Sequence, residues 1–263
     1  MKIQVANGPF IGYTPFIFPD GQRHITLEAD VAWSDVVITA SLCSANDLFD
    51  LLLVNDVLSR NHNKVNLRVD YLIGGRMDRQ INDRQPFTLS VVAGIINTAG
   101  FDSITILDPH SEVSTNLLYA VAGYPNIGGV LEDYSPEDTV IVQPDKGAEK
   151  RVRKMVGGLG FRIIECTKER DSTSGRLFKP EIITPAAVKG KRCLIVDDIC
   201  DGGATFVALA RKLREAGAIE VSLFVTHGIF SKGKDLEGID NIYTTGSFTG
   251  KIHPKHGIRI EEE

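Results

Sequence analysis

The amino-acid sequence predicts an α/β fold in which mainly parallel sheets are flanked by helices. Short apolar runs rich in β-branched residues alternate with longer segments of helical periodicity, and this alternation is typical of parallel sheets. Glycine follows several of the helical segments at the point where each helix is expected to end. With 263 residues, the chain is long enough for one large domain or two of ordinary size.

Seven segments are the clearest strand candidates, because each is short, apolar and bounded by polar or turn-forming residues. They lie at residues 35–40, 64–73, 103–107, 138–142, 161–166, 192–196 and 219–226.

Four helices are predicted between these strands. Residues 44–60 carry a broad apolar face that follows a run of capping residues. Residues 88–98 end before Gly100, residues 146–156 before two further glycines, and residues 205–216 before Gly217. Glycine is common at these positions because it readily adopts the left-handed conformation that often ends a helix.

The segment at residues 119–134 is rich in Gly and Pro and is the least regular part of the middle of the chain. We therefore expect two domains, at residues 1–124 and 125–263. Each half has a strand followed by acidic residues, Asp108 in the first and the pair Asp197 and Asp198 in the second. This loose repeat is compatible with a duplicated α/β unit.

Composition excludes several classes of protein. The formal net charge of -5 argues against a general nucleic-acid binder, which would usually be basic. No apolar segment is long enough to span a bilayer, and no secretory leader is recognisable, so we expect a cytoplasmic protein without a membrane partner. The four cysteines form neither a CxxC pair nor a zinc-like group, and we interpret them as free, mostly buried thiols.

Two segments, residues 76–85 and 168–179, are long, polar and rich in charge. Such segments are typical of mobile loops that close over ligands, although an ordinary solvated surface has the same composition.

The run from Arg192 to Thr205 carries the strongest chemical signal. An apolar strand leads to Asp197 and Asp198, then to a turn with Gly202 and Gly203, then to a helix that begins near Thr205. Free N–H groups at a helix N-terminus bind phosphate, and glycine lets the backbone approach the anion. The paired carboxylates are suitable acceptors for ribose hydroxyls. A glycine-rich turn alone is common in α/β proteins, but the combination indicates a ribose-phosphate site.

This run resembles the ribose-5-phosphate loop of the type I phosphoribosyltransferase fold, which phosphoribosyltransferases share with ribose-phosphate diphosphokinase (PRPP synthetase). Other segments resemble the diphosphokinase, in its order and close to its spacing, and are not expected in a plain phosphoribosyltransferase. They are Phe18-Pro-Asp-Gly21, Arg76-Met-Asp-Arg79 with Arg84-Gln-Pro86, Ile104-Thr-Ile-Leu-Asp-Pro-His110, Val142-Gln-Pro-Asp-Lys-Gly147 with Lys150-Arg151, Lys168-Glu-Arg170 and Thr226-His-Gly-Ile-Phe-Ser231.

The resemblance implies two phosphoribosyltransferase-like domains, an N-terminal ATP-loop domain and a C-terminal ribose-phosphate-binding domain. It also implies Mg²⁺-dependent transfer of the β,γ-diphosphate of ATP to the anomeric 1-hydroxyl of ribose 5-phosphate, which gives PRPP and AMP. The implied site residues form four groups: catalytic Lys168, Arg170, Asp198 and Asp201; ATP-binding Phe18, Asp20, Gln22, Arg76, Met77 and Asp78; ribose-phosphate-binding Asp197, Asp198, Asp201, Gly202, Gly203, Ala204 and Thr205; and the Mg²⁺ ligands His110 and Asp145.

The sequence departs from the family at several of these positions. Gly202 stands where the family usually has Thr, and Ala204 where it usually has Gly. Losing a hydroxyl donor weakens the grip on a terminal phosphate and opens space beside it, which would suit an acceptor such as ADP-ribose. Met77 and Gln22 stand where the family usually has Gln and Glu, so strict ATP preference is not implied.

Three alternatives to ribose-phosphate diphosphokinase therefore stay open. One is the same transfer to a 5-substituted ribose such as ADP-ribose, another is a catalytically silent regulatory relative, and the last is a phosphoribosyltransferase. Retention of the metal and loop residues argues against silence, and the N-terminal segments argue against the transferase. The chain is short for the family, so we expect a homo-oligomer without assuming the family's hexamer. We interpret His227 as structural.

Overall fold

The computed structural model of the chain describes residues 1–170, 178–248 and 258–261, and for residues 168–170, 178–179 and 258–261 it describes the backbone alone. The chain divides into two compact units, Met1–Gly123 and Tyr124–Glu263. Each unit has its own sheet and its own hydrophobic core.

The first unit contains a six-stranded sheet and a separate two-stranded hairpin. Its strands are β1 (Lys2–Val5), β2 (Phe10–Ile11), β3 (Tyr13–Ile17), β4 (Arg23–Leu27), β5 (Asp35–Leu42), β6 (Lys64–Leu72), β7 (Ser103–Leu107) and β8 (Val121–Gly123). The sheet has the order β2-β1-β5-β6-β7-β8, and β3 pairs with β4 to form the hairpin. From β5 to β8 the strands are parallel, whereas β1 is antiparallel to both of its neighbours.

Three helices belong to this unit: α1 (Ala45–Arg60), α2 (Thr88–Thr98) and α3 (Glu112–Leu118). At the start of α1, the Ser44 hydroxyl accepts the N–H of Asp47, and the Asp47 carboxylate accepts the N–H of Ser44. This reciprocal capping box satisfies two helix-end donors and fixes where the helix begins. Leu51, Val54 and Leu58 of α1 are fully buried in the core of the unit.

The second unit is built on a seven-stranded sheet of order β11-β10-β9-β12-β13-β14-β15. Its strands are β9 (Thr139–Gln143), β10 (Arg162–Arg170), β11 (Phe178–Ile182), β12 (Arg192–Cys200), β13 (Glu220–Gly228), β14 (Asn241–Thr245) and β15 (Ile258–Glu261). Its helices are α4 (Gly128–Leu131), α5 (Glu149–Val156) and α6 (Ala204–Glu215), with short 3-10 turns at Lys146–Ala148 and Pro185–Ala187. All strand pairs are parallel except β10 with β11.

The central strand β12 separates two hydrophobic cores. Cys193 and Ile195 lie in the core that also contains the buried face of α6. Leu194 and Val196 lie in the core that also contains the buried face of α5. Successive side chains of a strand point to opposite faces, so a strand covered by helices on both sides is apolar throughout. This explains why β12 was recognisable as a continuous apolar run.

The parallel α/β class is confirmed, and most predicted elements are found within two residues of their expected bounds. The predicted end of the central strand was wrong. β12 does not stop at Val196 but continues through both aspartates to Cys200, because Ile199 and Cys200 still pair with β13. The following helix begins at Ala204, one residue before the predicted start.

The segment at residues 168–179 is also not a loop throughout. Residues 168–170 of β10 pair with residues 178–180 of β11 in an antiparallel ribbon. High charge predicts contact with water, but a two-stranded ribbon satisfies its backbone hydrogen bonds without an apolar partner. Residues 171–177 lie outside the described part of the chain.

Candidate active site

Asp197 and Asp198 lie in the interior part of β12 and are almost completely buried. Arg151 of α5 is buried beside them, with one guanidinium nitrogen 3.2 Å from Asp197 Oδ1 and another 3.6 Å from Asp198 Oδ2. The N–H of Asp198 also donates to Asp197 Oδ1 at 3.0 Å. Buried charges are tolerated only when they are paired and hydrogen-bonded, so Arg151 is what allows two adjacent carboxylates at this depth.

The environment of the acid pair shifts its ionisation. Burial, together with the negative charges of Asp198 and Asp145, raises the pKa of Asp197 above its ordinary value, and Arg151 opposes that shift. When it is ionised, a carboxylate in this environment accepts strongly from hydroxyl groups, because its charge is poorly screened by water.

The turn after β12, residues 201–205, is the predicted anion-binding segment, which we call the cradle. Gly203 is the residue before α6 and has a φ of 74°, in the left-handed region that favours glycine. Phe206 and Val207 donate their N–H groups to its carbonyl. Within the described chain, the N–H groups of Gly202, Ala204 and Thr205 have no acceptor. Backbone N–H groups at the start of a helix such as α6 can bind phosphate, and the helix dipole strengthens this binding.

Residues 229–236, which we call the flanking loop, are attached to this turn. The N–H groups of Ile229 and Phe230 donate to the carbonyl of Cys200 at 2.9 and 3.1 Å, and that of Ser231 donates to the carbonyl of Asp201 at 3.1 Å. The Ser231 hydroxyl also donates to the Asp201 carboxylate. Backbone hydrogen bonds from the flanking loop therefore hold the start of the turn, in addition to the bonds that connect the turn to α6.

Asp145 follows the neighbouring strand β9. Its Oδ1 accepts the N–H of Gly147 at 2.8 Å, which fixes the orientation of the carboxylate at the start of a 3-10 turn. Gln143 donates to the backbone carbonyl of Asp145 at 3.0 Å. Because parallel strands β9 and β12 end at the same edge of the sheet, Asp145, the acid pair and the cradle occupy one edge.

In the first unit, the predicted ATP-loop residues follow β6, and His110 follows the adjacent strand β7. Asp78 is buried and accepts from Arg79 Nε at 3.0 Å. Burial alone would raise the pKa of Asp78, but the Arg79 hydrogen bond, an interaction with Ser111 and the nearby charges of Arg79 and His110 together outweigh burial and lower that pKa. Asp78 and His110 are thus close enough to interact. Arg76 and Met77 lie in the same loop, with Met77 exposed.

The hairpin of β3 and β4 presents Phe18 at its tip. Phe18 is 43% exposed and makes an edge-to-face contact with Phe16, with ring centroids 4.7 Å apart. The turn is closed because the N–H of Phe18 donates to the carbonyl of Gln22 and the Asp20 carboxylate accepts the N–H of Gln22. Arg23 makes a bidentate salt bridge to Asp50 of α1, which anchors the hairpin to the unit.

The structure thus brings Asp145, Asp197, Asp198 and residues 201–205 together in the second unit. In the first unit it brings Asp78 close to His110. The backbone of Lys168 and Arg170 lies at the end of β10, while their side chains lie outside the described part of the chain. His227 is buried in β13 with Nδ1 2.9 Å from Ser247 Oγ, the kind of position that a structural histidine occupies.

Sequence reasoning gave no role to Arg151. Charge in a helix normally predicts exposure, and the preceding Lys150 is indeed exposed. The available signal was the adjacent acid pair itself, which requires a cation if it is buried, but the sequence does not say which cation that is.

His110 and Asp145 are the candidate ligands for Mg²⁺. The carboxylate is a hard oxygen donor held in a fixed orientation, and Mg²⁺ usually keeps several waters, so few protein ligands suffice. Within the described residues, three or more potential ligands do not cluster around one point. His110 belongs to the first unit and Asp145 to the second, and both stay predicted ligands. None of the described helices has the length and apolar character needed to cross a membrane.

Two family models match the chain. The N-terminal domain of ribose phosphate pyrophosphokinase matches residues 8–100, and the phosphoribosyl transferase domain matches residues 122–252. The order of the two domains is the order that the sequence motifs imply.

Curated relatives match across both domains. The ribose-phosphate pyrophosphokinase of Hyphomonas neptunium is 31% identical over 85% of this chain and 73% of that protein. That of Maricaulis maris is 33% identical over 82% and 71%, and that of Mycoplasma genitalium is 31% identical over 100% and 80%. Among solved structures, phosphoribosylpyrophosphate synthetase from Mycobacterium smegmatis has the same fold, with a TM-score of 0.78, 21% identity, and coverage of 97% of this chain and 87% of that chain.

Proposed function

Because the chain belongs to the ribose-phosphate pyrophosphokinase family, we propose that it transfers the β,γ-diphosphate of Mg·ATP to the 1-hydroxyl of ribose 5-phosphate. The products are PRPP and AMP. The observation that carries this proposal is the continuous path from the acid pair through the cradle to α6. It offers buried acceptors for ribose hydroxyls and, next to them, backbone donors for a phosphate.

This arrangement of hydrogen-bond acceptors beside hydrogen-bond donors indicates how ribose 5-phosphate binds. Asp197 and Asp198 accept hydrogen bonds from the ribose 2- and 3-hydroxyls, and Arg151 keeps both carboxylates in place. The N–H groups of residues 202–205 and the Thr205 hydroxyl bind the 5-phosphate. Acceptors at one end and donors at the other orient the sugar, because a reversed ribose phosphate would place its anion against buried aspartates.

The transfer step exchanges one phosphorus–oxygen bond for another. The ribose 1-oxygen bonds to the β-phosphorus of ATP as the bond from that phosphorus to the α–β bridging oxygen breaks, and AMP leaves with that oxygen. The hydroxyl proton passes to a carboxylate, for which Asp198 and Asp201 are the candidates. Such reactions depend on positioning and charge stabilisation more than on covalent participation of the protein.

The donor is positioned by the other predicted residues. Arg76 contacts the ATP phosphates, Phe18 packs against adenine, and Asp20, Gln22, Met77 and Asp78 complete the ATP-binding set. Lys168 and Arg170 stabilise the charge of the transferring diphosphate. His110 and Asp145 would hold Mg²⁺, which supplies charge neutralisation on the ATP phosphates when bound.

We also propose a homo-oligomer. Three consecutive residues at the end of the hairpin, Phe16, Ile17 and Phe18, are 52%, 58% and 43% exposed. A contiguous patch of exposed apolar side chains often marks a surface that contacts another protein chain. Light scattering on the purified chain checks this, and a monomer at micromolar concentration would contradict it. Because ATP is the proposed donor, we place the reaction in the cytoplasm.

The experiment that tests the proposed reaction is AMP release from Mg·ATP, with ribose 5-phosphate and ADP-ribose offered separately. We expect AMP and the matching 1-diphosphate in equal amounts, and loss of turnover when Lys168 and Arg170 are both replaced by Ala. Binding of ATP without AMP release for either acceptor would indicate a silent regulatory relative. Consumption of PRPP with a nitrogenous base would indicate a phosphoribosyltransferase.

A further inference from the structure

The side chain of Lys232 lies against the phosphate cradle. A Cβ built on Gly202 would lie 3.3 Å from Lys232 Cδ, 3.5 Å from Cε and 3.6 Å from Cγ. The aliphatic stem of the lysine thus runs across the outer face of the glycine, while the residue as a whole is exposed. A Cβ at position 202 would press on the stem and shift it by a few tenths of an ångström, so the lysine lies against the glycine in near van der Waals contact.

The position of Lys232 is set by the flanking loop on which it lies. Ser231, the residue before it, donates both its N–H and its hydroxyl to Asp201 of the cradle. On the other side, Leu236 is buried against Gly203, where a Cβ would come within 2.3 Å of Leu236 Cδ2. The loop is therefore fixed to the turn before and after the lysine, and its ammonium has a limited region to sample.

The charge of Lys232 is not used elsewhere in the described chain. It makes no hydrogen bond or ion pair with any residue that the structure describes. Arg151, by contrast, lies beside the acid pair, and its charge is balanced by Asp197 and Asp198. An anion that extends outward from the cradle would meet the ammonium of Lys232.

The chemistry of the cradle indicates what kind of anion this is. A terminal phosphate monoester has three free oxygens and nearly two charges at neutral pH, and each oxygen needs donors. Position 202 offers no side-chain donor. In a 5-diphosphate the inner phosphate has fewer free oxygens and less charge, so backbone donors satisfy it. The remaining charge lies on the next phosphate, farther out.

We propose that Lys232 determines acceptor specificity by pairing with the second phosphate of a ribose that carries a 5-diphosphate substituent. The inner phosphate occupies the cradle, and the second lies over Gly202 within reach of the ammonium. This inference rests on the proposed function for the identity of the site, and it adds an acceptor class to ribose 5-phosphate: a ribose that carries a diphosphate ester at its 5-position.

The test compares two acceptors in wild type and in Lys232→Gln. ADP-ribose is the diphosphate probe and ribose 5-phosphate the monophosphate probe, and kcat/KM is measured by AMP release. We expect the ratio of kcat/KM for ADP-ribose to that for ribose 5-phosphate to fall about tenfold, as for the loss of one charge-assisted contact. Lys189→Gln is the matched control, since Lys189 precedes the opposite end of β12 and should leave the ratio unchanged.

A second variant perturbs the same contact without removing the charge. Gly202→Ala places a Cβ against the lysine stem and should lower the ratio in the same direction but by less. An equal loss for both acceptors in Lys232→Gln would mean that the lysine binds the first phosphate, and would overturn the inference. So would an unchanged ratio, or a wild type that does not accept or bind ADP-ribose.

Binding separates this inference from the proposed reaction. Dissociation constants for ADP-ribose and ribose 5-phosphate are measured by calorimetry in the same variants. If AMP is released from neither acceptor but the binding ratio still falls about tenfold in Lys232→Gln, the proposed reaction fails while the inference stands. If AMP is released with ribose 5-phosphate, and Lys232→Gln changes neither the kcat/KM ratio nor the binding ratio of the two acceptors, the proposed reaction stands and the inference fails.

Discussion

Predicted site residues lie in both units; we call those of the second unit the acceptor half and those of the first unit the donor half, and the two sets are built in different ways. In the second unit, the acid pair and the cradle belong to one continuous strand, turn and helix, and buried Arg151 and the flanking loop hold them from two sides. In the first unit, Arg76 and Met77 lie on a loop, and Phe18 projects from the tip of a hairpin. Buried, cross-braced groups are fixed before a ligand arrives, whereas loop groups take their final positions with it. The acceptor half is therefore preorganised, and changes there should affect folding as well as binding.

The largest expected effect is on the buried ion pairs. Arg151→Gln removes the buried cation that pairs with Asp197 and Asp198, and we expect the free energy of unfolding to fall by about 3–5 kcal/mol. Arg153→Gln is the control two residues away on α5, where the salt bridge to Glu149 is exposed and should contribute about 0.5 kcal/mol or less. Urea denaturation of both variants measures the difference. Similar losses in the two variants would show that the acceptor half is not braced by Arg151.

The next effect separates backbone strain from close packing in the cradle. Gly203 and Gly158 both have positive φ, 74° and 82°, but a Cβ meets Leu236 at 2.3 Å in the first case and no atom within 4 Å in the second. We expect Gly158→Ala to cost about 1–2 kcal/mol from the backbone alone. Gly203→Ala adds overpacking and should cost about 2–4 kcal/mol. Thermal unfolding measures both, and equal costs would mean that Leu236 moves away freely.

How far the sequence predicts these features depends on whether the responsible contacts are local. The course of β12, the cradle and α6 could be predicted, because apolar runs, glycine and helix periodicity act over a few residues. The end of β12 was missed because adjacent aspartates suggest a strand end, and the pairing with β13 that continues the strand is not local.

Contacts between distant segments were beyond sequence reasoning. Arg151 could be placed on a helix, but its burial depends on the acids that it faces in β12. The contact of Lys232 with Gly202 likewise joins two loops from different parts of the chain. The roles of Phe18 and His110 came from family resemblance and stay predictions, since neither residue type in isolation indicates ATP or metal binding.

A smaller effect concerns pH. Since burial raises the pKa of Asp197, the folded chain binds more protons than the unfolded chain between the ordinary carboxyl range and the raised value. Stability from this group is therefore greatest at acid pH and declines as pH rises through that window. Asp197→Asn removes this titration, so its free energy of unfolding relative to wild type should improve from pH 5 to pH 8. A constant difference across that range would mean that Arg151 fully compensates the charge.

The smallest effect on stability is expected at the hairpin, where it sharpens the contrast with the acceptor half. Phe18→Ala removes a ring that is 43% exposed and contacts mainly Phe16, so the free energy of unfolding should change by about 1 kcal/mol or less. If the ring packs on adenine, KM for ATP should nevertheless rise several-fold while kcat/KM for the acceptor at saturating ATP stays close to wild type. Phe16→Ala is the control, since it removes the neighbouring ring of the same contact. A rise in KM for ATP confined to Phe18→Ala would show that the donor half depends on single exposed side chains, and equal behaviour of the two variants would show that the aromatic pair acts as a structural unit.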